Sequence, residues 1–299
     1  MEMNIFAENV KAAVEARLGD TYKVSINEVS KNNDTKWTGL VIKAPGSNVS
    51  PSLYLEDALK AFERGTDFDD IVDALVRKYR ESEGFNVNIE SLTHWENVKD
   101  RIFFTLVNKA KNAEILADIP YTDIVGDLIV EYRLFVDNGA DEMLSVLIRN
   151  GLLETWGNPT VKELHELAME NTPHLFPANV KSMYETLCEM MGAEDLPFDE
   201  GDENLPLTVA SNVNKTNGAA VIMYDGLLKE YAEKYDSDVY ILPSSIHEVL
   251  FLPVNKAGQD VSALAELVQS VNTDQVMPTE YLSDTVYLYH KDTDTITAA

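Results

Sequence analysis

The densest gathering of reactive side chains in the sequence is Ser244-Ser245-Ile246-His247-Glu248, with two hydroxyls, an imidazole and a carboxylate within five residues. Such a set invites a hydrolase, because serine becomes a nucleophile only when an adjacent base takes its proton. On that reading Ser244 or Ser245 attacks, His247 is the base and Glu248 orients it. Local geometry weighs against this. Successive residues of an extended chain point to opposite faces, so His247 and Glu248 do not readily serve one centre. No Gly-x-Ser-x-Gly elbow occurs, and the serines follow Pro243, where a hairpin turn is expected. The plainer reading is a strand-connecting turn whose hydroxyls bond nearby backbone N–H groups while His247 bonds locally.

Other chemistries have less to stand on. The five histidines (His94, His165, His174, His247, His290) are scattered, with no His-Glu-x-x-His and no cysteine pair, so no metal site is expected. Asp67-Phe68-Asp69-Asp70 and Asp199-Glu200-Gly201-Asp202 lack the alternating ligands of a calcium loop. The first set reads as acids at a helix start, where the dipole favours them. Neither Gly-x-Gly-x-x-Gly nor Gly-Lys-Ser/Thr is present, so no nucleotide cofactor is implied. Trp37, Trp95 and Trp156 read as core aromatics, and Cys188 as a buried, inert thiol.

Charge narrows the partners. The chain has 299 residues, 24 Lys+Arg and 51 Asp+Glu, for a net charge of −27. Residues 1–100 carry −6, residues 101–200 carry −11 and residues 201–299 carry −10; no arginine follows Arg149. Direct binding to nucleic acid or an anionic membrane depends on a cationic face and is not expected here. The N-terminus lacks a signal-peptide pattern, the apolar runs are too short to span a bilayer, and a lone cysteine suits a reducing compartment. The sequence therefore reads as soluble and cytoplasmic.

The elements that position these residues follow from periodicity. Phe6, Val10, Val14 and Leu18 form one stripe of an N-terminal helix that Gly19 ends. Strands are expected at 22–29 and 37–43, then helices at 53–64 and 67–81. In the last of these Phe68, Ile71, Val72, Leu75, Val76 and Tyr79 step by three and four. Gly84 and the polar stretch 86–88 mark a boundary. Thr93 and Glu96 resemble a capping box opening a helix to Lys111 that buries Trp95, Val98, Ile102 and Leu106. A buried strand is expected within 123–136, then helices at 140–150, 161–170 and 178–191, the second capped by Thr160 and Glu163. Beyond an acidic, breaker-rich linker the period shortens. Strands at 207–211, 219–224, 239–242, 248–252 and 285–290 with Ile296, and helices at 226–234 and 261–271, give a ββαββαββ order. The expected class is α+β, with helices on an antiparallel or mixed sheet. The expected divisions are 1–88 (helix, hairpin, two helices), 89–192 (mainly helical), 193–206 (linker) and 207–299 (α+β).

Four stretches carry a resemblance: Tyr240-Ile241-Leu242-Pro243-Ser244-Ser245-Ile246-His247-Glu248-Val249, Gly218-Ala219-Ala220, Asn97-Val98-Lys99, and Leu282-Ser283-Asp284-Thr285-Val286-Tyr287. Together they resemble a family of acidic proteins of unknown function found in anaerobic gut bacteria, over nearly the whole chain. The resemblance implies a cytoplasmic bacterial protein and no activity. With no complete catalytic motif, the leading expectation is a non-enzymatic binding or regulatory protein acting through protein contacts. Its partner would be a basic or DNA-binding protein, in one version met by an acidic face that imitates DNA. The alternative is a hydrolase at Ser244, Ser245, His247 and Glu248.

Overall fold

The stripe of Phe6, Val10, Val14 and Leu18 lies on the first helix, α1 (Met3–Leu18), and all four of these residues are buried. Gly19 closes it at φ 84, a backbone conformation that costs glycine little. A computed structural model describes residues 1–47, 50, 52–81, 88–138, 143–191, 206–258 and 260–299. The expected boundary at Gly84 and nearly all of the acidic linker lie outside the described residues. The chain divides into two compact units, Met1–Ile89 and Glu90–Ala299.

In the first unit β1 (Lys23–Ser30), β2 (Lys36–Lys43) and β3 (Ser52–Tyr54) form an antiparallel sheet in the order β1-β2-β3. Helices α2 (Glu56–Glu63) and α3 (Phe68–Glu81) follow. The start expected for α2 is displaced because Ser52–Tyr54 pairs with Gly39–Val41 before the chain turns helical. Val24, Leu40 and Ile42 on the strands pack with Phe6, Val10, Ile71 and Val72 from the helices in one core. Each such side chain removed from water contributes about 1.5–3 kcal/mol.

The second unit opens with two short helices, α4 (Glu90–Thr93) and α5 (Trp95–Val98), and a 3₁₀ turn at Lys99–Arg101. The expected long helix ends there. Ile102–Asn108 is instead a strand, β4, with all seven residues buried. The spacing of Val98, Ile102 and Leu106 mimics a helix, but the Ile-Phe-Phe-Thr-Leu-Val run is β-branched and aromatic, as a strand covered on both faces requires. The capping box at Thr93 does not form: His94 occupies the N-cap position of α5, and Glu96 pairs with Lys99 at 2.6 Å.

The buried strand expected within 123–136 is a hairpin, β5 (Tyr121–Val125) and β6 (Leu128–Asn138), turning at Gly126 with φ 57. β6 pairs with β4 along one side and with β5 and then β7 (Met143–Leu147) along the other. Pairing with β6 therefore makes a strand where a helix at 140–150 was expected. Helix α6 (Asn150–Thr155) follows, then α7 (Val161–Leu175), opened by the Thr160–Glu163 capping box that the sequence indicates.

Residues 178–191 split into β8 (Ala178–Ser182) and α8 (Met183–Met191) rather than one helix. A second capping box divides them: Ser182 Oγ accepts the Glu185 N–H at 3.1 Å, and the Glu185 carboxylate accepts the Ser182 N–H at 2.7 Å. Beyond lie β9 (Thr208–Asn212), α9 (Leu227–Tyr235), β10 (Val239–Pro243), β11 (Val249–Pro253), α10 (Val261–Gln275), β12 (Tyr287–His290) and β13 (Thr295–Ala298). An antiparallel sheet in the order β13-β12-β10-β11-β9-β8 collects the strands. The strand expected at 219–224 is a 3₁₀ helix, Gly218–Met223. The fold is α+β. Residues 89–192 and 207–299 share one core, in which Phe104, Leu106 and Tyr132 pack with Ala219, Val221, Ile241 and Tyr287.

Candidate functional site

The Ser244–Glu248 segment is the loop of the β10–β11 hairpin, whose last paired residues are Pro243 and Val249. Much of its backbone, the Ser245 hydroxyl and the His247 ring are engaged. Ser245 N–H donates to the Glu248 carbonyl (3.1 Å), and Ser245 Oγ accepts the His247 N–H (3.0 Å). The His247 carbonyl accepts Ser211 Oγ (2.7 Å), and the Ile246 carbonyl accepts the Ala219 N–H (3.1 Å). The imidazole is held as firmly: Nδ1 accepts the Asn217 N–H at 3.1 Å, and Nε2 lies 3.6 Å from Glu280 Oε1. With Nδ1 accepting, the neutral ring carries its proton on Nε2, facing that carboxylate.

Gly218 explains how the loop comes so close. A Cβ there would stand 2.1 Å from Ser211 Oγ and 2.5 Å from the His247 carbonyl oxygen. Only glycine lets the 3₁₀ helix abut the hairpin loop, and this contact replaces the ladder pairing that the expected strand would have made.

Ser244 and His247 face different surroundings. His247 bonds to the start of the 3₁₀ helix, whose Ala219–Ile222 belong to the main core. Ser244 lines a groove on the other sheet face, where Leu242 and Leu252 of the sheet pack with Leu264 and Val268 of α10. Among the described residues, neither the Ser244 nor the Ser245 hydroxyl bonds the His247 ring, and the carboxylate facing it belongs to Glu280. The structure thus gathers Ser245, His247 and Glu248 into one turn, and leaves Ser244 apart from the imidazole.

The groove measures about 350 Å³. Pro206 and Leu207 border it on one side and Leu267 and Val271 of α10 on the other. Leu267 is 50% exposed and Val271 39%, so α10 presents apolar surface beyond what its own packing covers. Residues 257–289 hold five acids (Asp260, Glu266, Asp274, Glu280, Asp284) and neither Lys nor Arg.

A buried polar cluster has no counterpart in the sequence reading. The Asp127 carboxylate accepts bonds from Asn108 Nδ2 (2.6 Å), Ser283 Oγ (2.8 Å) and the Tyr287 hydroxyl. Burial, chiefly, and then the bond to Asp127 raise the Tyr287 pKa. Tyr281 is pushed up to about 12 by burial and by Asp284 and Asp127. Every member of the cluster is satisfied, so it serves as a clamp between the β5–β6 turn and the approach to β12. Asp127 and Tyr287 lie 160 positions apart, which leaves no local signal. A second pair joins the Tyr132 hydroxyl to His165 Nδ1 at 3.0 Å, and burial lowers the His165 pKa.

Among the described residues no group of three or more His, Cys, Asp or Glu is placed to hold a metal ion, and no helix is long and apolar enough to cross a membrane. Cys188 is half-buried rather than enclosed. A family model described as Family of unknown function (DUF5688) matches residues 3–291. No curated protein and no solved structure matches the chain.

Proposed function

The chain belongs to the DUF5688 family, a family of unknown function, so its own residues must supply the reading: we propose that it is a non-enzymatic binding protein whose groove beneath α10 receives a basic, amphipathic segment of a protein partner. The observation that carries this is the pairing of half-exposed Leu267 and Val271 over a leucine-lined groove with a helix, α10, whose only charged residues are acids. An amphipathic helix docks by a few apolar anchors at three- and four-residue spacing. At about 350 Å³ the groove takes such anchors and not a folded domain. Lysines and arginines on the segment's other face would meet Asp260 and Asp274, which share the Leu267 side of α10; this favours fast association and makes it salt-sensitive.

The test is fluorescence anisotropy with a labelled 18-residue Leu/Lys amphipathic peptide and its scrambled counterpart. The intact peptide binds, the scrambled one binds at least tenfold more weakly, and raising salt weakens both. Leu267→Gln, at a half-exposed position that folding tolerates, reduces binding of the intact peptide at least tenfold. Equal binding of the two peptides, or an unaffected Leu267→Gln protein, overturns the proposal.

A further inference from the structure

A second cavity, of about 330 Å³, lies at the start of α9 beside the β12–β13 hairpin. Val125, Ile222, Leu228 and Ile296 supply apolar wall, and the buried Tyr289 ring supplies part of the lining. Three charged side chains join them: Asp225, Lys229 and Asp294. The Tyr289 hydroxyl donates to Asp294 Oδ1 at 2.7 Å, which fixes one carboxylate at the cavity.

Lys229 is the unusual member. Elsewhere in residues 206–299 each lysine has a partner: Lys215 pairs with Glu189 and Lys291 with Asp236, while Lys234 and Lys256 lie over the Tyr235 ring. Among the described residues Lys229 has neither an ion pair nor a ring contact, in a chain of net charge −27. Asp225, one helical turn before it, likewise has no ion pair among the described residues. Gly226 at the N-cap of α9 brings no side chain, so the positive pole of that helix adds to Lys229.

A cavity with an unpaired ammonium, two carboxylates about it and apolar walls matches a small molecule bearing both charges and an apolar body. We propose that this cavity binds a free α-amino acid with an apolar side chain. Lys229 takes its carboxylate, Asp225 and Asp294 take its ammonium, and the Val125–Ile222–Ile296 wall takes its side chain. The site is independent of the groove beneath α10.

Isothermal titration of the full chain with L-leucine tests this, with 3-methylbutylamine and 4-methylpentanoate as ligands lacking one charge each. Leucine binds, and each half-ligand binds at least tenfold more weakly. Lys229→Gln and Asp225→Asn, both exposed positions, each weaken leucine at least tenfold without moving the thermal midpoint, and Leu267→Gln leaves leucine binding intact. Absence of heat with leucine, methionine and phenylalanine overturns the proposal. So does an amine that binds as tightly as leucine, or a Lys229→Gln protein that binds normally.

Discussion

The Tyr287 hydroxyl donates a hydrogen bond to the Asp127 carboxylate across 160 positions of sequence. That bond joins the turn of the β5–β6 hairpin to the first residue of β12. Beside it, a Cβ on Gly126 would stand 3.1 Å from Tyr287 Cε1, so the turn and the ring approach as closely as a glycine permits.

Removing the acceptor should cost more than removing a donor. Asp127→Ala removes the acceptor shared by Asn108, Ser283 and Tyr287, leaving Asn108 its bond to the Leu282 carbonyl and the two hydroxyls only each other, and is expected to destabilise the protein by about 2–4 kcal/mol, against about 1–2 kcal/mol for Tyr287→Phe. Urea unfolding of both variants checks the order. Equal losses would sink the account of Asp127 as the hub.

Gly218→Ala is expected to be among the most damaging single-methyl changes in the chain, costing about 3 kcal/mol or more, because the new Cβ meets backbone and a buried hydroxyl rather than a flexible tip. Gly19→Ala meets nothing within 4 Å and bears only the strain of its backbone conformation, φ 84 and ψ 171, about 1–3 kcal/mol. Thermal midpoints of the two variants should differ clearly and in that order.

His165 gives a pH dependence of known sign. Burial lowers its folded pKa below the usual value, so near pH 6 the unfolded chain binds more protons than the folded one. Its contribution is whole above the ordinary histidine pKa of about 6.5 and is lost as pH falls from there toward the folded value. His165→Gln should flatten that part of the stability curve, as measured by chemical unfolding between pH 5 and pH 7.5. An unchanged slope would remove His165 as the titrating group.

The 244–248 loop separates the binding and hydrolase readings. His247→Gln should cost about 1 kcal/mol through the lost Asn217 contact and leave capture of the Leu/Lys peptide unchanged. Hydrolysis of p-nitrophenyl esters should not exceed that of free imidazole. A turnover lost in both Ser244→Ala and His247→Gln would restore the hydrolase.

What the sequence discloses depends on how each element is covered. α1 and α3 bury one stripe and expose the rest, so Phe6–Leu18 and Ile71–Tyr79 show their period openly. β4 is buried on both faces and has no alternation to read. With Val98 before it, its apolar residues passed for a helix. The Ser182–Glu185 box has the same spacing as Thr160–Glu163, but it sits inside what looks like one continuous helical run. At the candidate site, the turn around Ser245 and His247 is written in neighbouring residues. The groove arises only when Leu242, Leu252 and α10 come together. Asp127, Ser283 and Tyr287 are unremarkable until the fold makes them neighbours.

The core shared by residues 89–192 and 207–299 has a consequence for synthesis on the ribosome. β4 emerges early, but Ala219, Val221, Ile241 and Tyr287, which join its core cluster, emerge more than a hundred residues later. During that interval a strand that is buried along its whole length in the native fold awaits its cover, which is the circumstance in which nascent chains aggregate. A chain halted before Tyr287 would hold β4 and β6 with neither the final strands nor the Asp127 clamp, and chaperones would meet it as an open sheet.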